Sequence, residues 1–334
     1  MKKILAILLG LLMLLSTATI FGCNKQSNSK KLTFYVPDGA PALAVAKFIK
    51  DKENFGIDGD ISYNVVSASE IGTVMIKGEG DFIVMPVNAA TKLYKSKADS
   101  PYVMASVITH GNLYIMSSEN VNSISDLKGK VVGVIGRGLV PDLTFKAILS
   151  DAGLINDVVD GDKAVDGKIT LRYFETAGDM LPLLKKGDLS IGLLPEPAAT
   201  KLTSIAPQKN WTRLDVQKLY DESTKAYPQA VLMVKKSVYE VFKSEINGMD
   251  EFFNDNVNWI KTNTLEAVNA VNSALNGATA SLDASIINQT VVENCKIFWQ
   301  SAKDARLDVK SYIDKIISVN PQSAKAVSDD FFAN

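Results

Sequence analysis

The chain has a single histidine, two cysteines and no excess of basic residues among its 334 residues. One histidine, His110, is too few for a histidine-rich metal cluster, and a Ser–His–Asp triad would depend on that residue alone. Lysine and arginine number 36 against 37 aspartate and glutamate, so the net charge is −1. With acidic and basic residues in balance, the sequence has no excess of positive charge that would bind nucleic acid and no polybasic patch that would bind anionic lipid. We therefore expect a non-enzyme with no metal, no cofactor and no nucleic-acid partner.

Outside the first 23 residues the sequence has no long apolar run. Lys2 and Lys3 precede an apolar stretch over 4–15, and Gly22 precedes Cys23. This is typical of a secretory signal that ends at an acylated cysteine. An uncleaved membrane anchor is the alternative, but the stretch falls short of the ~20 residues that span a bilayer.

We predict a lipoprotein signal peptide over 1–22, palmitate on Cys23 and a polar tether over 23–31. The chain is then held at the cell membrane by lipid, on its extracytoplasmic face. Once Cys23 is modified, Cys295 is the only thiol left, so an internal disulfide is excluded. The remaining length is enough for two domains on the prior of ~150 residues each.

Six segments share one pattern: a β-rich apolar run, a turn of small residues and a helical pattern of up to about ten residues. Such alternation indicates parallel strands joined by crossover helices, and so an α/β fold. The six strand and helix pairs are 31–37 with 42–50, 61–66 with 71–77, 82–85 with 89–94, 130–135 with 141–149, 170–174 with 179–186, and 190–194 with 198–202.

Two of these units contain nearly the same eight residues, PVNAATKL over 86–93 and PEPAATKL over 195–202. Their spacing is far too long for a solenoid repeat. Chance similarity is the alternative, but six matches in eight positions favour two similar α/β lobes.

Long β-like runs at 102–118 and 229–235 are candidates for hinge strands that cross between the lobes. We predict that lobe 1 comprises 32–110 and 229–334, and lobe 2 comprises 111–228. From 238 onward the pattern is helical, and Thr290 with Glu293 matches a capping box for a helix that carries Phe298 and Trp299. This tail is expected to return and cover lobe 1.

In open α/β sheets, ligands bind beyond the carboxyl ends of the strands. The loops at those ends should therefore surround one cleft, where helix N-termini favour anionic or carbonyl-rich ligands. Each loop alone can also be a simple turn. The predicted ligand-binding residues are Asp38, Gly39, Ala40, Pro41, Ser67, Ser69, Asn88, His110, Asn112, Gly136, Arg137, Gly138, Thr176 and Glu196.

Three of these residues have competing interpretations. Arg137, between two glycines at a strand end, is either a ligand clamp or part of a solvated or lobe–lobe salt bridge. Glu196 between two prolines either accepts a ligand amine or hydroxyl, or is a charge at a helix N-terminus. His110 either lines the cleft or lies in the hinge or on the surface. A dinucleotide fingerprint at 136–138 is disfavoured, because Pro141 stands where the third glycine belongs.

The chain resembles the solute-binding lipoproteins of ABC transporters, in particular the nitrate, sulfonate and taurine group that also includes binders of thiamine-pyrimidine precursors. The resemblance extends from about 32 to 234, and the helical tail agrees only in general character. It rests on FYVPDGAP at 34–41, GDF at 80–82, ISDLKGKVVGV at 124–134 and LPEPA at 194–198.

The resemblance implies a two-lobed, type II periplasmic-binding-protein-like fold, with two mixed sheets flanked by helices and a hinge of crossing strands. It also implies that a small solute is captured between the lobes and handed to an ABC permease by a monomer. A methionine-type binding lipoprotein, a cofactor-precursor-processing enzyme on the same fold, and a purely structural surface lipoprotein are the alternatives.

Overall fold

Two six-stranded mixed sheets form the framework of the chain. The computed structural model describes residues 30–97, 99–221 and 226–334, so the predicted signal peptide and Cys23 lie outside the described residues. The first sheet contains β1 (Lys30–Pro37), β2 (Gly59–Val66), β3 (Phe82–Pro86), β4 (Tyr102–His110), β11 (Pro228–Lys235) and β12 (Ile297–Ser301), in the order β12-β4-β11-β3-β1-β2. In this sheet β1 and β3 are parallel, whereas β11 is antiparallel to both of its neighbours.

The second sheet repeats this plan with strands from the middle of the chain. It contains β5 (Leu113–Ser117), β6 (Lys130–Ile135), β7 (Val158–Asp160), β8 (Ile169–Phe174), β9 (Ile191–Pro195) and β10 (Thr212–Asp215), in the order β10-β5-β9-β6-β8-β7. Here β6 pairs parallel with β8 and β9, and β5 is antiparallel to β9 and β10. Each sheet thus has a parallel group that is extended by antiparallel strands.

Helices cover the two sheets. Those of the described residues are α1 (Ala40–Leu43), α2 (Ala46–Asp51), α3 (Ile71–Lys77), α4 (Val87–Lys95), α5 (Val140–Asp151), α6 (Ala177–Lys186), α7 (Ala198–Ile205), α8 (Val216–Tyr220), α9 (Lys236–Tyr239), α10 (Lys243–Asn247), α11 (Met249–Thr262), α12 (Thr264–Ser273), α13 (Gln289–Asn294) and α14 (Ala302–Val319). None of them is both long and apolar enough to cross a membrane.

The six predicted strand–helix units are present, and the α/β fold with two mixed sheets is confirmed. One helix differs, because the pattern over 42–50 is divided into α1 and α2. Each of the two similar octapeptides begins at the end of a strand that has a parallel neighbour on one side and an antiparallel neighbour on the other. One leads from β3 into α4 and the other from β9 into α7. The internal similarity therefore reflects equivalent positions in two sheets.

The tail prediction is partly wrong. Phe298 and Trp299 lie on β12, which pairs with β4, and not on a helix. The helix before them, α13, is capped by Asn288, whose side-chain oxygen accepts a hydrogen bond from the Val291 amide at 3.1 Å. Pairing with a distant strand outweighed the local helical pattern.

The chain crosses between the sheets at two points that lie side by side. The first is Gly111–Asn112, between β4 and β5, and the second is at Tyr227, directly before β11, which itself lies in the first sheet. The Gly111 amide donates to the Tyr227 carbonyl at 2.9 Å. A Cβ on Gly111 would stand 2.5 Å from the Tyr227 ring, so glycine is required there. The lobe boundaries at 110 and 229 stay a prediction.

Helix α14 packs against α5, which belongs to the second sheet's helices. The hydroxyls of Tyr312 and Thr144 are 2.7 Å apart, and Lys315 pairs with Asp151 at 2.6 Å. The Tyr312 ring also stacks on Tyr227 at the second crossing, with ring centroids 5.5 Å apart. The tail therefore does more than cover the first sheet, because it also contacts the other lobe.

Candidate functional site

The carboxyl ends of the parallel strands in both sheets lie at the edge where the chain crosses. His110 ends β4, and Leu113, three residues later, pairs with Pro195 at the end of β9. Four predicted site residues are at most 2 % exposed there: Asn88, His110, Asn112 and Glu196. The others form a more open rim, in which Ala40 is buried, Asp38, Gly39, Pro41, Ser67, Gly136 and Gly138 are half-buried, and Ser69, Arg137 and Thr176 are exposed.

Asn88 connects the two lobes directly. It lies in the first turn of α4, and its Nδ2 donates to the Gly138 carbonyl of the second lobe at 3.2 Å. The same nitrogen donates to the Ser323 carbonyl of the C-terminal segment at 3.1 Å. The loop before α4 is thus fixed against the loop before α5.

A relay of amides crosses the hinge. Asn112 Nδ2 donates to the Glu196 carbonyl at 3.2 Å, and the Glu196 amide donates to the Asn112 carbonyl at 3.0 Å. Gln229 Nε2 then donates to Asn112 Oδ1 at 3.0 Å. This relay joins the end of β9 to the start of β11, and so one sheet to the other.

The Glu196 carboxylate is fully engaged inside its own lobe. Its oxygens accept hydrogen bonds from the Thr200 amide at 3.1 Å, the Thr200 hydroxyl at 2.8 Å and the Arg213 guanidinium at 2.6 Å. The guanidinium lies 3.5 Å above the Tyr114 ring. A helix N-terminus and a charged partner both stabilise the ionised carboxylate. This arrangement matches the helix-charge interpretation of Glu196.

His110 is buried at the hinge end of β4. Its Nε2 is 3.1 Å from Gln300 Oε1, and its ring stacks on Phe298 with centroids 3.6 Å apart. Burial lowers the pKa of His110 to about 4. The imidazole is therefore neutral near pH 7.

Five of the six strand–helix loops at this edge already hold a carboxylate of the chain on their own amides. Asp142 accepts from the Gly138 amide at 2.8 Å and from Lys146, although it is only 1 % exposed. The other four carboxylates are Asp38 on the Gly39 amide, Glu70 on Ser67, Asp179 on Thr176, and Glu196 on Thr200. The exception is α4, whose first turn has no acidic residue. An anionic ligand would meet these internal carboxylates at five of six loops.

Arg137 lies on the outer rim. Its guanidinium pairs with Asp160 at the end of β7, stands 4.7 Å from the centroid of the Tyr173 ring, and its side chain is 65 % exposed. Arg137 therefore forms a solvated salt bridge, and both partners lie in the same lobe. A role as ligand clamp stays a prediction, which requires the guanidinium to leave Asp160.

Sequence reasoning missed several residues of this region. Gln229 was predicted only as part of a hinge strand, and Arg213, Asp142 and Ser323 were not predicted at all. A helix-capping carboxylate at Asp142 has a local signal, since it follows Pro141 in the first turn. Arg213 and Ser323 have none, because they reach the site through distant pairing.

A surface cavity of about 240 Å³ lies away from this edge, at the amino-terminal ends of β6 and β9. Lys130 and Glu119, which line it, pair with each other at 2.5 Å. Among the described residues there is no cluster of three His, Cys, Asp or Glu side chains that could hold a metal ion.

No family model matches the sequence, and no curated protein matches it. Solved structures do match in fold. An ABC transporter protein from Parabacteroides distasonis is 18 % identical with a TM-score of 0.72, covering 91 % of this chain and 98 % of that chain. The periplasmic aliphatic sulphonate binding protein SsuA from Escherichia coli is 14 % identical with a TM-score of 0.65, covering 90 % of each chain.

The alkanesulfonate-binding protein SsuA from Xanthomonas axonopodis pv. citri, bound to MOPS, is 11 % identical with a TM-score of 0.60, covering 88 % of this chain and 94 % of that chain. The predicted resemblance is thus confirmed at the level of the fold. The chain has the two-lobed architecture of the periplasmic solute-binding proteins of ABC transporters.

Proposed function

We propose that this chain is an extracytoplasmic solute-binding lipoprotein, which captures a small organic solute between its lobes and delivers it to an ABC importer. The observation that carries the proposal is the buried polar junction between the lobes. Asn88 bonds to Gly138 across it, and the Gln229–Asn112–Glu196 relay spans the hinge. Binding sites of α/β folds lie at such strand ends.

The solute is proposed to enter between the loops of the predicted site, with the buried residues as its floor. Ser67, Ser69, Arg137 and Thr176 then form the rim. Of the two solute types expected from the sequence, the carbonyl-bearing one fits better than an anion. Carboxylates of the chain already occupy backbone amides at five of the six loops, so those amides are not free to bind an anion. Two of these carboxylates, Asp142 and Glu196, are themselves paired with Lys146 and Arg213.

The transport role further requires export and anchoring, which we propose through acylation of Cys23. The chain would then act as a monomer at the outer face of the cell membrane. Cys23→Ser should abolish palmitate labelling and processing in cells, whereas Cys295→Ser should leave both unchanged, because the Cys295 thiol is buried. Labelling that survives Cys23→Ser would contradict the anchor.

The binding role is tested by native mass spectrometry of the full-length protein purified in detergent. We expect one small organic molecule per chain, which is lost on unfolding. X-ray scattering of ligand-free and saturated protein should show a smaller radius of gyration with solute. If no solute copurifies and no metabolite in a broad panel raises the melting temperature, the proposed function is wrong.

A further inference from the structure

Two side-chain oxygens at the lobe junction are buried without a hydrogen-bond partner among the described residues. They are Oδ1 of Asn88 and Oε1 of Gln229. Asn88 is 2 % exposed, and Gln229 is half-buried with this oxygen shielded. Buried acceptors of this kind are rare, because an unmade hydrogen bond there is costly.

The polarity of both amides is fixed by their neighbours. Asn88 Nδ2 bonds to two backbone carbonyls, which can only accept, so its oxygen is the free atom. Asn112 Nδ2 likewise bonds to the Glu196 carbonyl, so Asn112 Oδ1 must accept from Gln229. Gln229 Nε2 must therefore be the atom that faces Asn112, and Gln229 Oε1 is the acceptor that is left without a partner among the described residues.

His110 adds a third acceptor by the same logic. Gln300 Nε2 donates to the Asp308 carboxylate at 2.8 Å and to the Asp304 carbonyl at 3.4 Å, so Gln300 Oε1 accepts from His110. His110 Nε2 then carries the proton of the neutral ring. Its Nδ1 has no hydrogen-bond partner among the described residues, although a contact with the Lys296 backbone favours the protonated ring and so opposes the effect of burial on the pKa. The ring is neutral near pH 7, as described above.

We call these three atoms the acceptor row: Gln229 and His110 lie at the adjoining ends of β11 and β4, and Asn88 lies in the first turn of α4, the helix that follows β3. Ala230 pairs with Pro86, so Gln229 starts beside the end of β3, two residues before Asn88. On the other side, Pro228 pairs with His110. Adjacent strands are about 4.8 Å apart, so the backbone positions of Gln229 and His110 lie within the length of one small molecule.

We propose that the solute is neutral or cationic and presents at least two N–H or O–H donors to this row, as amides, ureides, amidines and amines do. This rests on the proposed function. Lobe 1 supplies acceptors that have no partner among the described residues. At five loops, carboxylates of the chain already accept hydrogen bonds from the backbone amides. Both features disfavour an anion that lacks donors, such as a sulfonate or nitrate.

The first test identifies the solute released from the purified full-length protein by denaturation. We expect a molecule with no net negative charge and two or more donors. A thermal-shift panel of amides, amidines and amines against ethanesulfonate, nitrate and acetate should give stabilisation in the first group only. Stabilisation by ethanesulfonate or nitrate would overturn this inference and leave solute binding intact. No stabilisation at all would count against both.

The second test uses titration calorimetry of Gln229 variants with the strongest donor-bearing compound of the panel. Gln229→Met, which removes the acceptor, should weaken binding about tenfold. Gln229→Glu loses the same hydrogen bond to Asn112 as Gln229→Met but keeps an acceptor and adds negative charge, so it should bind a cationic compound more tightly than Gln229→Met does. Equal weakening by both variants would mean a structural role only and would overturn the inference.

Thr170→Val is the matched control. Thr170 is also fully buried with an unpartnered hydroxyl, but it lies near the start of β8, away from the carboxyl ends of the strands. Its substitution should leave affinity unchanged within twofold. A loss equal to that of Gln229→Met would show that any buried hydroxyl or amide affects binding indirectly.

Discussion

The similar octapeptides at 86–93 and 195–202 both lead from a strand into a helix but do so differently. Helix α4 begins at Val87, directly after β3, whereas Glu196 and Pro197 form a turn between β9 and α7. In the second lobe, Thr200 binds the Glu196 carboxylate through both its amide and its hydroxyl, so the turn is satisfied locally. In the first lobe, the equivalent Thr91 hydroxyl donates to the Asn88 carbonyl at 2.9 Å, and the Asn88 side chain reaches the other lobe. The segment before α7 is held by the charged Glu196 carboxylate, whereas the segment before α4 leaves the neutral Oδ1 of Asn88 at the junction. Neighbouring positions of the two octapeptides, Glu196 and Asn88, thus supply stability in one lobe and contact between the lobes in the other.

Among the substitutions that test this comparison, Glu196→Ala should lower the free energy of unfolding most. The change removes the carboxylate from a site that is 1 % exposed and leaves Arg213 and Thr200 without their partner. Breaking a buried pair in this way costs about 3 kcal/mol. Denaturant unfolding at pH 7 measures the loss. Glu119→Ala, which breaks the exposed pair with Lys130, should cost under about 1 kcal/mol. Equal losses for both would contradict a special role of the second turn.

Asn88→Ala should cost about 2 kcal/mol, because two buried carbonyls lose their donor. The exposed Asn122 is the control, and Asn122→Ala should change the free energy of unfolding by less than about 0.5 kcal/mol. The lobes should also open more readily in Asn88→Ala, which scattering in the absence of solute would detect. An unchanged free energy of unfolding would show that water replaces the amide.

Acid should weaken the junction through His110. Its pKa is about 4 in the folded chain and near 6.5 when unfolded, so the unfolded state takes up the proton first as the pH falls. Above pH 6.5 the neutral ring makes its full contribution to the free energy of unfolding, and this contribution is lost progressively as the pH falls to 4. The loss is about 2 kcal/mol by pH 5.

The check on His110 is the free energy of unfolding of wild type and His110→Gln between pH 7 and pH 5. The variant should lack this part of the pH dependence. The same slope in both proteins would assign it to other groups.

Arg137→Ala should have the smallest effect on stability, under about 1 kcal/mol, because its side chain is 65 % exposed and pairs with a partly exposed Asp160. Calorimetry of the variant with the identified solute tests the clamp prediction. A thirtyfold loss of affinity would show that the guanidinium leaves Asp160 for the solute. Binding within twofold of wild type would place Arg137 outside the site.

Much of the framework could be predicted from the sequence because its signals are local. Strands such as β6 and helices such as α3 have the boundaries that their apolar pattern indicates, and the turns of small residues mark the carboxyl edge. Of the four buried candidate residues, Asn88 and Glu196 come from that edge rule, and His110 and Asn112 come from the predicted hinge. Their hydrogen bonds could not be predicted in the same way.

The sequence could not predict hydrogen bonds between residues that lie far apart in the chain. Asn88 reaches Ser323, 235 positions away, and His110 reaches Gln300, 190 positions away. The β12 segment looks helical until β4 is available for pairing. No periodicity reports such partners. The sequence therefore indicates candidate cleft residues, which stay a prediction, but gives no sign that Glu196 is paired with Arg213.

The arrangement of strands also sets the order in which the lobes can form. Every strand of the second sheet lies within 113–215, whereas the first sheet needs β11 and β12 from beyond it. During synthesis the amino terminus emerges first, so the second lobe has its full set of strands while the first still lacks two. Closing the first sheet joins β4 to β11 across the whole second lobe, a long loop with a high entropic cost. The acceptor row at the junction therefore assembles last, when the final third of the chain has arrived.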